Sequence, residues 1–355
     1  MQFQRNIVFW LVALAGLIFL LWLLRPILLP FVLGMVLAYL LDPLANKLIE
    51  RGVSRLVAAL LILGGFLLAF VLLLLIIAPI LSRQFAGFIV HGPEYARRLQ
   101  ALVSDPSHPW LKTVIGDNLI GSDKTISDLT NQAMGYMSTF LGSLWSKGRA
   151  LISIFTLVII TPVVAFYLLC DWDRMLSTVE QLIPLPQRDT VRGLGQEIDR
   201  TISGYVRGQS GVCLILGTYY AIGLSLAGLN FGLLIGVVSG LISFIPYVGS
   251  LTALVLSLAV ATAEFFPNWT GILIVLGVVL VGQFLEGNVL SPYLVGHSVG
   301  LHPVWLMFAL FAFGYLFGFV GLLLAVPLAA ATGVLIRFAI SRYRASPFYT
   351  GAQTP

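Results

Sequence analysis

Long runs without a single Asp, Glu, Lys or Arg divide this chain, and their lengths are the first structural signal. A helix needs about 20 apolar residues to cross a bilayer core about 30 Å thick. Asn6–Leu24 supplies 19, Pro26–Leu41 supplies 16, Leu56–Ser82 supplies 27 and Ala150–Cys170 supplies 21. Gly208–Ala263 runs for 56 residues, enough for two crossings with a break at Gly228-Leu229-Asn230. Phe265–Leu285 adds 21. The last interval, Gly287–Ile336, begins like a loop, with Asn288, Ser291-Pro292, His297, Gly300 and His302-Pro303. From Val304 onward it is too long for one straight span. It must tilt, kink near Gly318, Gly321 or Pro327, or fold back as paired half-helices. The pattern predicts an all-α, polytopic membrane protein with about eight transmembrane helices and broken helices in the C-terminal half. Arg5 ahead of an apolar stretch has the look of a secretory leader, but the run continues past Ala13-Leu14-Ala15 to Leu24. That predicts a retained first helix.

Composition narrows the class further. Of the 355 residues, 59% are hydrophobic and 10% charged, against about 25% charged in a soluble domain. Twenty Lys and Arg against 15 Asp and Glu give a formal charge of +5, spread thinly between apolar runs. Nucleic-acid surfaces need clustered cations, so no nucleic-acid partner is expected. Cys170 and Cys213 stand in or beside apolar runs with no second-cysteine spacing, which indicates neither a disulfide framework nor a zinc site.

Two polar segments interrupt the runs. Arg83–Arg149 carries turn signals at Gly92-Pro93, Asp105-Pro106 and His108-Pro109, between helix-like stretches such as Glu94–Leu102 and Asp123–Met137. It reads as a small helical extracytoplasmic module whose His91 and His108 are surface residues. In Asp171–Arg207, Val191, Leu194, Ile198, Ile202 and Tyr205 recur every three or four residues, with charges between them. Such a stripe predicts an amphipathic helix along the inner interface, separated by Pro184 and Pro186 from a first helix, Asp173–Ile183. It is either a plain connector or a moving arm coupling the two halves, with Asp171, Asp173, Arg174, Arg207 and Gln209 as the coupling candidates. The excess of Lys and Arg on short loops puts both termini in the cytoplasm. The expected organisation is transmembrane helices over 1–82, the outer module over 83–149, a fourth helix over 150–170 and the arm over 171–207. A C-terminal bundle over 208–340 and a tail over 341–355 complete it.

Candidate chemistry is sparse. No GxxxxGK[ST], GxGxxG or HExxH motif occurs, so ATP-driven pumping and hydrolytic catalysis are not expected, nor is a cofactor or metal. Gly232-x3-Gly236-x3-Gly240 and Gly314-x3-Gly318 allow close helix approach. Pro246-Tyr247-Val248-Gly249 falls deep in an apolar run. It predicts either a simple kink or an unwound stretch whose free backbone groups line a polar path. Gln283, Glu286 and Asn288 end the next span; a carboxylate there is either an ion or proton group or a solvated helix end. Together Pro246, Tyr247, Gly249, Gln283, Glu286 and Asn288 are the candidate substrate or ion pathway.

At these residues the chain resembles the autoinducer-2 exporter, permease-like family of bacterial membrane proteins. The resemblance rests on Thr161-Pro162, Phe166-Tyr167-Leu168-Leu169-x-Asp171-Trp172-Asp173-Arg174 and Ile202-Ser203-Gly204-Tyr205-Val206-Arg207-Gly208-Gln209. It continues through Phe244–Gly249, Glu286–Gly296, Val299-Gly300-Leu301-His302-Pro303 and Gly321–Ala329, in order. It implies about eight helices, an oligomeric assembly and transport of a small solute without ATP hydrolysis, in a bacterial inner membrane. The solute is then a small polar molecule, such as a furanone-type signal, or a monovalent cation exchanged for protons with Glu286 titrating. A non-transporting scaffold in the bilayer is the reading from outside transport.

Overall fold

The computed structural model describes residues 16, 19–104, 148–296, 302–346 and 349. Most of the expected first span, residues 105–147 of the expected outer module and His297 lie outside them. Among the described residues the chain is all-α: α1 Leu28–Ile49, α2 Arg55–Ser104, α3 Gly148–Gln181, α4 Arg188–Leu226, α5 Gly232–Ile242, α6 Val248–Phe265 and α7 Trp269–Leu285, then α8 Pro303–Arg344. A π-helical stretch, Glu286–Val295, follows α7 directly. Among the described residues, six helices are long and apolar enough to cross a membrane. A seventh joins them if α3 is counted, which bends by 62° between Thr156–Trp172 and Arg174–Gln181.

The interval expected to hold two crossings carries two candidate spans, in α4 and α6, with a third, shorter helix between them, because it breaks twice. Gly228, at φ +76°, and left-handed Phe231 end the passage out of α4. Left-handed Tyr247, just after Pro246, separates α5 from α6. With 11 residues, α5 is too short to cross. The helix that begins with the amphipathic stripe does not stop at Arg207 either; α4 continues unbroken to Leu226.

The chain divides into two compact units. The first comprises Met1–Phe66, Thr156–Gly208 and Val295–Pro355. Here Gly34 of α1 lies against α3, where an added Cβ would sit 2.7 Å from Val164 and 3.0 Å from the Thr161 carbonyl. The Thr161 hydroxyl donates to the Pro30 carbonyl at 3.3 Å, a polar bond at the same crossing. Residue 318 settles the long C-terminal run. Gly318 adopts φ 63°, ψ −138°, and a Cβ on Gly321 would overlap the Phe313 carbonyl. Residues eight apart on a straight helix are about 12 Å apart, so α8 doubles back at Gly318 as paired half-helices.

The second unit comprises Leu67–Phe155 and Gln209–Leu294. Its α5 lies against α4 through the three glycines of the GxxxG repeat. Gly232 meets Leu224 and Ser225, Gly236 meets Tyr220 and Ala221, and Gly240 meets Gly217 and Cys213, so successive turns touch backbone to backbone. On another side of α4, Gly223 meets Val278 and Gly282 meets the Tyr220 ring, which seats α7. Leu68, Leu75 and Ile76 of α2 stand exposed, as lipid-facing side chains do. Beyond that apolar stretch, Arg98 lies 2.6 Å from Glu94 and holds its carboxyl below the usual carboxylate range; both are exposed, so salt weakens the pair.

Candidate functional site

Two polar clusters stand out against the apolar helices, one in each unit. The first grows from two helix faces. Tyr39, Asp42 and Asn46 recur at i, i+3 and i+7 on α1, and Asp199, Ser203 and Arg207 at i, i+4 and i+8 on α4, so each set shares one face. The Tyr39 hydroxyl donates to the Asp199 carboxylate at 2.8 Å. Arg207 donates from Nε to the Tyr39 carbonyl at 2.8 Å and from its terminal nitrogen to Asp42 at 3.2 Å. From the start of α2, Arg55 donates to the Leu169 carbonyl of α3 at 2.8 Å. Trp172 of α3 meets the Tyr39 ring edge to face, with centroids 6.3 Å apart. These groups line a cavity of about 310 Å³. Two carboxylates and two guanidiniums make its wall polar and charge-balanced.

The second cluster gathers around the break between α5 and α6. An interrupted helix frees carbonyls, and in a membrane these need partners from protein or a watery path. Buried Gln209 of α4 supplies one, donating from Nε2 to the Ser243 carbonyl at 2.6 Å. The Ser243 hydroxyl donates in turn to the Ser239 carbonyl at 2.8 Å. Gly249 closes over this turn, where a Cβ would overlap the Ser243 backbone. Pro246 is half-buried and Tyr247 exposed. Further along α4, the Tyr220 side chain is fully buried against Gly282, yet its hydroxyl has no hydrogen-bond partner among the described residues. The buried Ser239 hydroxyl of α5 is likewise unpartnered. Glu286, half-buried at the start of the π-helical stretch, lies close enough to act electrostatically on Cys213 and Tyr220. Wide π turns displace side chains from the α register and recur at functional sites.

The structure thus redistributes the residues singled out in the sequence. Gln209, one of the coupling candidates, lies at the broken helix and bonds to Ser243, three residues before Pro246. Arg207 belongs to the charge-balanced cavity. Asp171, half-buried, and Arg174, exposed, flank the bend in α3, whose position 173 is Asp173. Gln283 is half-buried on α7, while exposed Asn288 donates to the Phe284 carbonyl of its own helix at 3.2 Å. Tyr39, Asp42, Arg55, Asp199, Tyr220 and Ser239 were not singled out as site residues. Helical spacing of Tyr39, Asp42 and Asn46 at the end of an apolar run carries a signal for the first three polar positions. Nothing local marks Tyr220, whose burial comes from glycines on two other helices.

Comparison with known proteins adds the remaining observation. The family model described as AI-2E family transporter matches residues 7–340. Similar curated proteins include two candidate transport proteins of Bacillus subtilis strain 168. YueF is 30% identical over 256 residues, covering 72% of this chain and 68% of its own length. YrrI is 34% identical over 216 residues, covering 61% of this chain and 60% of its own. The candidate permease PerM of Escherichia coli K12 is 30% identical over 186 residues, or 52% of each protein. The matched stretches therefore span about half to two thirds of these relatives.

Proposed function

Because the chain belongs to the AI-2E transporter family, we propose that it is a multi-pass permease that moves a small polar solute across the membrane without hydrolysing ATP. An autoinducer-2-type signal molecule is the finer substrate reading. The observation that carries the proposal is the pair of buried, unpartnered hydroxyls, Tyr220 and Ser239, beside an interrupted helix. A hydroxyl buried without a partner costs about 1–3 kcal/mol by protein mutational data, so a polar group or water reaching these two would relieve that cost, which supports a polar path. Glu286 and the Ser243–Gly249 turn supply further polar groups in the same unit. In this reading Pro246, Tyr247, Gly249, Gln283, Glu286 and Asn288 border the solute path. The protein sits in a bacterial inner membrane as a homo-oligomer, with both termini cytoplasmic.

Flux measured in proteoliposomes tests this. Uptake or release of a furanone-type signal should proceed without ATP and fall at least tenfold in Tyr220→Phe/Glu286→Gln, with assembly unchanged. Sodium movement that depends on a pH gradient, with no flux of neutral solute, would transfer the assignment to cation/proton antiport. Flux of neither would leave a scaffold.

A further inference from the structure

The cavity of the first unit has chemistry of its own, distinct from the broken-helix cluster. Its volume of about 310 Å³ lies at the small end of the range for ligand sites. At about 30 Å³ per water-sized group it has room for roughly ten heavy atoms. Its four charged side chains balance: Arg207 pairs with Asp42, while Asp199 takes the Tyr39 hydroxyl and Arg55 is bound to the Leu169 carbonyl. A charged guest would give up hydration to a neutral wall with no spare opposite charge, a cost lessened but not removed because Arg207 and Asp42 stay part-exposed. An uncharged guest with many hydroxyls meets no such cost. Each carboxylate accepts one of these bonds and has lone pairs left for hydroxyl protons, and Arg207 has N–H donors beyond the two in use. The Asn46 amide, on the lining, makes no hydrogen bond among the described residues and offers both donor and acceptor. Trp172 supplies the apolar wall against which C–H groups of a polyol pack.

We propose that this cavity, lined by Tyr39, Asp42, Asn46, Trp172, Asp199 and Arg207, binds an uncharged, hydroxyl-rich solute no larger than a monosaccharide. It rests on the transport reading only for its purpose, since binding here is measurable without flux. The test uses the full chain in detergent and reads tryptophan fluorescence during titration with D-ribose and with xylitol, each of about that size. D-ribose 5-phosphate and choline serve as the charged comparators. Both neutral polyols should change the emission, and Trp172→Phe should remove the change. Asp199→Asn should weaken binding about tenfold, as loss of hydrogen bonds to a charged acceptor does. Asn46→Ala, which breaks no bond within the described protein, should weaken it about threefold with an unaltered melting temperature. A preference for ribose 5-phosphate or choline, a signal that survives Trp172→Phe, or no response to either polyol overturns the proposal. Polyol binding at Trp172 without flux of any neutral solute in proteoliposomes would keep this site and sink the transport reading. Flux without such binding would do the reverse.

Discussion

Gly236 and Gly240 have helix backbone where any other residue would place its side chain, and backbone cannot rotate aside. Replacing either by Ala should cost about 1–3 kcal/mol, the usual range for overpacking. Gly277 of α7 is the control, because an added Cβ there meets nothing within 4 Å. Gly277→Ala should be neutral or stabilise by about 0.5–1 kcal/mol through helix propensity. Unfolding in mixed micelles measures all three, and an equal loss at Gly277 and Gly240 would refute the close-approach account. Tyr39→Phe removes a hydroxyl bonded at 2.8 Å and leaves Asp199 without that donor. A loss of about 1–2 kcal/mol in the same assay is expected.

At the scale of elements, the devices that matter are interruptions and continuity. The reversal in α8 depends on Gly318, whose backbone angles are strained for any L residue with a side chain. Gly318→Ala should therefore destabilise the paired half-helices by about 1–3 kcal/mol, although its Cβ would find open space. Protease sensitivity around Tyr315–Val320 should rise, and an unchanged digestion pattern would reject the role. In α4 the stripe of Leu194, Ile198 and Ile202 is half-buried while Glu197 and Arg200 are exposed. Glu197 and Arg337 pair at 3.2 Å within the first unit. A carboxylate in the stripe would have to leave the apolar setting or be buried unpaired. Ile198→Asp should thus raise cysteine labelling at 194 and 202 more than at 197, and uniform labelling of the parent helix would contradict the amphipathic assignment.

For the whole molecule, the expected topology is a matter of charge. Twelve of the 20 Lys and Arg fall on segments that the cytoplasmic assignment of both termini places inside. Reporter fusions at Asp117 and after Pro355 should report opposite sides. A fusion at Asp117 active only in the cytoplasm would invert the map. The division into membrane helices, outer module, arm and C-terminal bundle stands or falls with the same experiment. Cross-linking in native membranes addresses the homo-oligomer, and a single monomeric band at every cross-linker concentration would remove it.

Class, helix content and the places where helices must fail were legible in the amino acids, because each has a local cause. A bilayer demands length and apolarity, which any window of about 20 residues reveals. Pro246 disturbs a helix wherever it stands, whereas Gly228 and Gly318 only permit the positive φ they adopt here. The GxxxG repeat announced a close approach, though not its partner. What became of those signals was decided by packing. Only the tertiary structure made α5 too short to cross, ran α4 through Arg207 to Leu226 and folded α8 back on itself. It also drew Gln209 to the Ser243 carbonyl, 34 positions away, and the Tyr39 hydroxyl to Asp199 across 160 positions. Polar side chains in apolar helices have no local reason to point at one another. Their partners are chosen by which helix faces meet, and that depends on glycines and side-chain volumes far away in the chain.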